Sequence, residues 1–326
     1  MTSAAGGGCS RLACYLFGLF SLGASPDDVA PARSAEPRAA RRFFRWRTGV
    51  SPLRLRALAG LCAALAACAS PSPPAPIDHS LPPARFLLTF DDGPSPFTWY
   101  NPTRVILDTL ARNDVQPEIK AVFFVQTRAR GASTPEGQAL LRRTHEEGHV
   151  LGLHSGTARG HVDHRHLSPA ELDQSLEDGI RDLTALTGHP PALVRPPFWN
   201  WNDRTHAAYT AHGLAMLLTD INARDGKAYG WTISLRRRPH FRAGLERVRA
   251  HAHTLPVHNG VLPVVITFHD TNVFTANHLQ EYLHILVEES NRVGLPIATP
   301  PFYNDAEEIE EAALLRARAG VYAGPP

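Results

Sequence analysis

Short apolar runs alternate with longer amphipathic stretches from Arg85 almost to the end of the chain. The apolar runs have the length and composition of buried strands, and they predict strands at 86–90, 120–125, 150–153, 192–194, 214–218, 264–268 and 295–298. The amphipathic stretches carry apolar residues at helical spacing, and they predict helices at 103–113, 136–147, 168–187, 203–212, 241–253, 277–292 and 305–318. This alternation favours an α/β fold, either a barrel or a doubly wound sheet.

Five of the predicted strands end on side chains that can do chemistry. In chain order these side chains are Asp91 and Asp92, His154, Arg195, Asp220, and His269 with Asp270. Each one alone has an ordinary interpretation as a helix cap, a packed side chain or a solvated charge, but those interpretations do not predict all five together. Because barrel enzymes place catalytic groups at the carboxyl ends of their strands, the five ends predict one ring of groups around a barrel mouth.

Composition narrows the possible partners and ligands. Residues 1–67 hold nine Arg, no Lys and three acidic residues, whereas the remainder holds 24 basic and 28 acidic residues. The main body therefore has no basic run that would indicate nucleic-acid binding. All four cysteines come early, the last of them being Cys68. A metal site in the body must therefore be built from His, Asp and Glu.

The segment before the main body is typical of a targeting signal. Two arginines precede an apolar run at 57–67, which fits a signal-peptide core and is shorter than the ~20 residues that span a membrane. The last residues, "LAAC", resemble the lipobox of bacterial lipoproteins, which implies cleavage before Cys68 and a lipid on its sulfur. We therefore predict a signal peptide at 50–67 and a Pro-rich tether at 69–84. A plain signal peptide cut nearby remains an alternative.

A signal peptide is expected at the N-terminus, but 49 residues precede this one. Residues 1–49 are rich in Ala, Arg and Gly, and we interpret them as an over-extended reading frame or a disordered N-terminus. A second apolar run at 12–22 remains a rival signal. In either case we expect an exported protein that is anchored to the membrane, in the bacterial periplasm or at the cell surface.

Five motifs along the main body resemble one known family. "TFDDGPSP", "AVFFV", "GHVLGLHS", "VRPPF" and "ITFHD" occur in the order and spacing of the polysaccharide deacetylases, the NodB-homology domain of carbohydrate esterase family 4. The resemblance covers about residues 85–300. It implies a distorted (β/α)7-type barrel with a divalent metal at its mouth. We treat residues 301–326 as a charged helix and tail with no assigned chemistry.

The resemblance implies a metal held by Asp92 and His154, which would also explain how two adjacent acids coexist. The family has its second histidine four residues after the first, where this chain has Ala158. We interpret residues 156–160 as containing a three-residue insertion, which favours His161 as the third ligand. His164 is the alternative, and a third candidate, His166, lies beside the helix cap, where we expect it to face solvent. Zn²⁺ is the default for one carboxylate and two imidazoles, and Co²⁺, Ni²⁺ or Mn²⁺ remain open.

The resemblance also assigns catalytic roles. It implies that Asp91 is the base, that Arg195 holds it, and that the Phe198 backbone N–H helps to bind the oxyanion. It implies that His269 is the general acid and that Asp220 orients it.

Four further positions depart from the family pattern. The second Asp and the Trp expected after Asp220 are replaced, with Ala223 and Arg224 in their region. Trp199 stands where the family usually has Gly, and we expect it to reshape the substrate groove. Thr267 replaces an apolar residue of the acetyl pocket, which leaves the acyl group open.

We therefore expect a metal-dependent, monomeric hydrolase that removes N-acetyl groups from an amino-sugar polysaccharide. Peptidoglycan, an exopolysaccharide or a chitin-like polymer would fit. One alternative is an O-acetyl esterase or N-deformylase on the same barrel. The other is a catalytically silent envelope lipoprotein that binds glycan.

Overall fold

The computed structural model describes residues 73–225 and 237–324. The chain divides into two units, residues 1–70 and 71–326, and all described residues belong to the second. The predicted N-terminal extension, signal peptide and lipidated Cys68 lie outside the described residues. Among those that are described, no helix combines the length and the apolar character that crossing a membrane would require.

Strands and helices alternate as the hydrophobic pattern predicts. The strands are β1 (Ala84–Asp91), β2 (Ala121–Gln126), β3 (Val150–Ser155), β4 (Leu193–Val194), β5 (Ala215–Met216), β6 (Ile221–Asn222), β7 (Leu262–His269) and β8 (Ile297–Phe302). The helices are α1 (Pro102–Ala111), α2 (Pro135–Glu146), α3 (Pro169–Thr187), α4 (Asp203–Ala211), α5 (Arg237–His251), α6 (Val273–Val293) and α7 (Ala306–Ala319).

The strands form one parallel sheet that curls into an incomplete barrel. Its order is β5-β4-β3-β2-β1-β7-β6, and β8 pairs with β1 off this path. β1 and β7 run in register along their whole length, from Ala84 beside Leu262 to Asp91 beside His269. The two-residue strands β5 and β6 lie at the open ends of the order. This is the distorted (β/α)7-type barrel that the motifs predict.

Alternation along β1 separates an outer core from an inner one. Phe86, Leu88 and Phe90 belong to the large cluster between the sheet and the helices. Leu87, which points to the other face, lies in a second cluster that also contains Ile309 of α7. α7 therefore fills the concave side of the sheet, so the predicted C-terminal helix is part of the barrel domain.

Asp220 fastens the C-terminal segment to the barrel. Its Oδ1 accepts hydrogen bonds from Arg316 Nη2 at 2.7 Å and from the Ala323 N–H at 2.9 Å. Its Oδ2 accepts the Val265 N–H at 2.8 Å. Both charged side chains are fully buried, and the ion pair therefore ties the end of α7 to the sheet.

The described part of the predicted tether packs on this domain. The Ala75 N–H donates to the Arg292 carbonyl at 2.9 Å, and the Asp78 N–H donates to the Gly294 carbonyl at 3.0 Å. Leu81 is buried in the outer core. A free tether, as predicted for 69–84, would therefore have to lie before these contacts.

Candidate active site

Three potential metal ligands converge at the carboxyl end of the sheet. Asp92 follows β1, His154 lies in β3, and His161 lies in the lengthened loop after β3. Asp92 Oδ1 is 3.3 Å from His154 Nε2 and 3.5 Å from His161 Nε2. One carboxylate oxygen and two imidazole nitrogens, all within 4.8 Å of one another, fit an open three-ligand site for a divalent metal.

The hydrogen bonds of His154 leave the correct nitrogen available. His154 Nδ1 lies 2.8 Å from the Arg195 carbonyl oxygen. Because a carbonyl oxygen only accepts, Nδ1 must carry the proton, and in a neutral ring Nε2 keeps its lone pair. That lone pair points toward Asp92, which is the arrangement that a metal ligand needs.

Burial and charge set the ionisation of the other two ligands. Burial would raise the pKa of Asp92, but the neighbouring His154, His269 and His161 lower it well below its usual range. Burial lowers the pKa of His161, which favours the neutral ring. A carboxylate and a neutral imidazole are the forms that bind a metal.

The alternative ligand His164 lies elsewhere. Its Nδ1 is 2.8 Å from the Tyr209 hydroxyl, and burial lowers its pKa to about 3. His166 is exposed and lies three residues before α3. The structure therefore brings His161, and neither of the other two histidines, to Asp92 and His154.

Asp91 is buried against an arginine. Only 2% of Asp91 is exposed, and Arg195 Nη1 donates to its Oδ1 at 2.8 Å. The same Nη1 lies 2.7 Å from Thr89 Oγ1. Arg195 also donates to the carbonyls of Leu217 and Leu218, each at 2.9 Å. These bonds fix the guanidinium, which in turn fixes the Asp91 carboxylate.

Two aromatic rings lie against that guanidinium. Arg195 Cζ lies 4.1 Å from the centroid of Phe124 and 5.0 Å from that of Trp199. Trp199 adopts a φ of 61°, a left-handed conformation that a bulky residue rarely takes. The cation–π contact compensates part of the cost of that conformation.

His269 is held by Asp225. Its Nδ1 lies 2.8 Å from Asp225 Oδ1, and its backbone N–H donates to Asp225 Oδ2 at 3.0 Å. Thr275 Oγ1 donates to the same Oδ2 at 2.5 Å. Burial would lower the pKa of His269, but the charge of Asp225, together with Asp92 and Asp91, raises it to about 10.

The prediction that Asp220 orients His269 is wrong. Asp220 bonds to the Val265 N–H, which lies four residues before His269 on β7, roughly 13 Å along the strand. Asp220 comes before the short strand β6, and Asp225 comes after it. Asp225 is therefore the carboxylate that lies at the barrel mouth. A second Asp after Asp220 was predicted to be absent, but Asp225 is that carboxylate. The two-residue strand between the two acids shows no apolar run that would have placed it.

The loop after β4 closes one side of the site. Phe198 has a φ of 60°, and its ring, 51% exposed, stacks on His161 with 4.0 Å between centroids. One pocket is lined by Asp91, Asp92, His154, His161, Pro196, Phe198, Trp199, Asn222, Arg224 and His269. Thr267 is fully buried and hydrogen-bonds Thr89, so it is not among these lining residues.

Fold and site together define an α/β barrel protein with a candidate hydrolytic metal centre. Residues 79–217 match the family model for polysaccharide deacetylases. This stretch of the chain is therefore similar to the polysaccharide deacetylases, as its motifs predict.

Curated relatives share only part of their length with this chain. A peptidoglycan N-acetylglucosamine deacetylase of Listeria monocytogenes is 32% identical over 146 residues, which are 44% of this chain and 27% of that protein. A chitooligosaccharide deacetylase of Bradyrhizobium is 33% identical, over 42% of this chain and 57% of that protein. The solved chitin deacetylase of Colletotrichum lindemuthianum aligns with a TM-score of 0.49 at 21% identity, over 68% of this chain and 91% of that one.

Proposed function

We propose that this protein is a metal-dependent deacetylase that removes N-acetyl groups from an amino-sugar polymer of the cell envelope. The observation that carries the proposal is one pocket that holds the Asp92, His154 and His161 donors beside Asp91 and His269. Two relatives are named for N-acetylglucosamine or chitooligosaccharide deacetylation, and these names support the substrate class.

Asp92, His154 and His161 would hold the metal. Zn²⁺ suits this donor set best, and Co²⁺, Ni²⁺ or Mn²⁺ could replace it. When bound, the metal supplies the Lewis acidity that polarises the acetamide carbonyl and promotes ionisation of water.

The residues around these ligands supply proton transfer and oxyanion binding. Asp91, fixed by Arg195, accepts a proton from the attacking water. The Phe198 backbone N–H donates to the oxygen that becomes negative in the transition state. His269, held by Asp225, donates a proton to the amide nitrogen, so the C–N bond breaks and acetate and a free amine leave.

The test is acetate release from N-acetylglucosamine oligomers and from acetylated xylan, with Zn²⁺ added or removed by a chelator. We expect release from the oligomers only, restored by Zn²⁺ and reduced at least ~100-fold in Asp91→Asn. Release from xylan alone would overturn the amide specificity. Glycan binding with no turnover, unchanged in Asp91→Asn, would identify a silent binding protein.

We also infer that Cys68 carries a lipid that anchors the protein to a membrane. The inference depends on the "LAAC" sequence at the end of the apolar run and does not depend on the site. Cys68→Ser should move the protein from the membrane fraction to the soluble fraction. Equal membrane retention of both forms would overturn the inference.

A further inference from the structure

Gln126 contacts the carboxylate of Asp92 from inside the barrel. It is the last residue of β2, and only 6% of it is exposed. Gln126 Nε2 donates to Asp92 Oδ1 at 2.7 Å. The amide nitrogen must face this oxygen, because two acceptor oxygens would repel each other. Oδ1 is also the oxygen that lies nearest to His154 and His161.

The backbone of Gln126 holds the same segment from a second direction. Its N–H donates to the Gly93 carbonyl at 3.2 Å, immediately after Asp92. Asp92 itself has a φ of 77°, which a residue with a side chain adopts only where its surroundings hold it there. Gln126 therefore fixes both the backbone turn and the carboxylate plane of Asp92.

Gln126 also lies under the lengthened loop that carries His161. A Cβ at Gly160 would come within 3.0 Å of Gln126 Oε1, and Gly160 has a φ of +74°. The loop is fastened there by Thr157 Oγ1, which donates to the Gly160 carbonyl at 3.1 Å. One side-chain amide thus bonds to Asp92 and lies close beneath the loop that carries His161, where a side chain at Gly160 would meet it.

We propose that Gln126 is a positioning residue of the metal centre, which it preorganises by orienting Asp92 and supporting the loop before His161. The inference rests on the proposed function, since it assumes that Asp92, His154 and His161 bind a metal. Hydrogen bonds to ligating carboxylates commonly change metal affinity by about 10–100-fold. A neutral amide donor does this without adding a charge to a pocket that already holds two carboxylates.

Gln126→Met tests this in the full-length protein, because methionine keeps the length of the side chain and removes the amide. The matched control is Gln116→Met. Gln116 is 7% exposed, and among the described residues its amide bonds only to the Phe302 backbone, at 2.9 and 3.0 Å. Zn²⁺ affinity is measured by competition with a chelating dye, and Co²⁺ binding by its visible d–d absorption. Gln126→Ala is a second variant should the methionine variant fail to fold.

We expect Gln126→Met to bind Zn²⁺ about 10–100-fold more weakly and to alter the Co²⁺ spectrum. Gln116→Met should lower the melting temperature and leave both metal readouts unchanged. Unchanged affinity in folded Gln126 variants, beside a wild type that binds Zn²⁺, would overturn the inference and leave the proposed function intact. An equal loss in both variants would also overturn it. A wild type that binds no divalent metal would overturn the proposed function together with the inference.

Discussion

Asp91 and Asp92 are neighbours in sequence, but the backbone gives them different partners. Asp91 ends β1 and points into the barrel, where Arg195 Nη1 lies 2.8 Å away. Asp92 has turned into the left-handed region, which directs its carboxylate to His154, His161 and Gln126 instead. The two carboxylates therefore point in different directions and have different partners. This explains how adjacent carboxylates coexist at a strand end.

The contact between His269 and Asp225 gives a direct prediction about the role of the Asp225 carboxylate. In the metal-free protein, Asp225→Asn should lower the pKa of His269 from about 10 toward its ordinary value of 6.5. The reason is that the nearest anion would be lost while the burial of the ring remains. An NMR titration of the imidazole signals measures this. An unchanged pKa in Asp225→Asn would contradict the role given to this carboxylate.

The raised pKa of His269 also predicts a pH-dependent stability. Because the folded-state pKa is about 10 and the ordinary value is 6.5, protonation favours the folded state. This contribution is fully present below pH 6.5 and is lost as the pH rises through about 10. Urea unfolding of the metal-free protein across this range should show the decline, and it should be smaller in Asp225→Asn. If stability falls equally with rising pH in the wild type and in Asp225→Asn, this contribution of His269 is contradicted.

At the site, the loop that follows β3 contacts the loop that follows β4. His161 stacks on Phe198, and Asn200 Nδ2 donates to Asp163 Oδ2 at 2.8 Å. The loop that carries the third potential ligand is therefore braced by the loop that carries the proposed oxyanion donor, the Phe198 N–H.

Phe198→Ala should therefore weaken Zn²⁺ binding, by about 10-fold, because His161 loses the ring that holds its orientation. The backbone N–H of residue 198 stays in place, so the loss should appear first in metal affinity. Phe97→Ala is the control, since Phe97 is 37% exposed and does not line the pocket. Equal Zn²⁺ affinity in wild type and Phe198→Ala would show that the stacking has no such effect.

The sequence predicts long elements well and short ones poorly. The run at 264–268 falls inside β7, and the capping signals at Ser168 place the start of α3, where the Ser168 and Glu171 side chains cap each other's backbone. β6 has two residues, too few to show a period. The motif resemblance assigned the partner of His269 to Asp220, and no strand signal indicated that Asp225 lies nearer to the barrel mouth. Helix α7 was predicted from its own pattern, but amphipathicity does not say which surface a helix packs against.

For the molecule as a whole, Asp220 is structural. Asp220→Asn should lower the free energy of unfolding by about 3 kcal/mol, because Arg316 would be left buried without its counter-charge. The titration of His269 should not change. Asp173→Asn removes an exposed contact with His212 and should cost less than about 1 kcal/mol. Urea unfolding measures both variants, and equal stabilities would contradict the role of the buried pair.

The position of α7 has a consequence for how the protein is made. The eight strands leave the ribosome before residues 306–319 do, yet Ile309, Ala312 and Ala313 fill the inside of the sheet that those strands form. Until that helix has been synthesised, the inner apolar face has no partner, and the nascent chain exposes it to water and to other chains. We therefore expect the barrel to complete its folding, as one unit, only once residues 306–319 have left the ribosome.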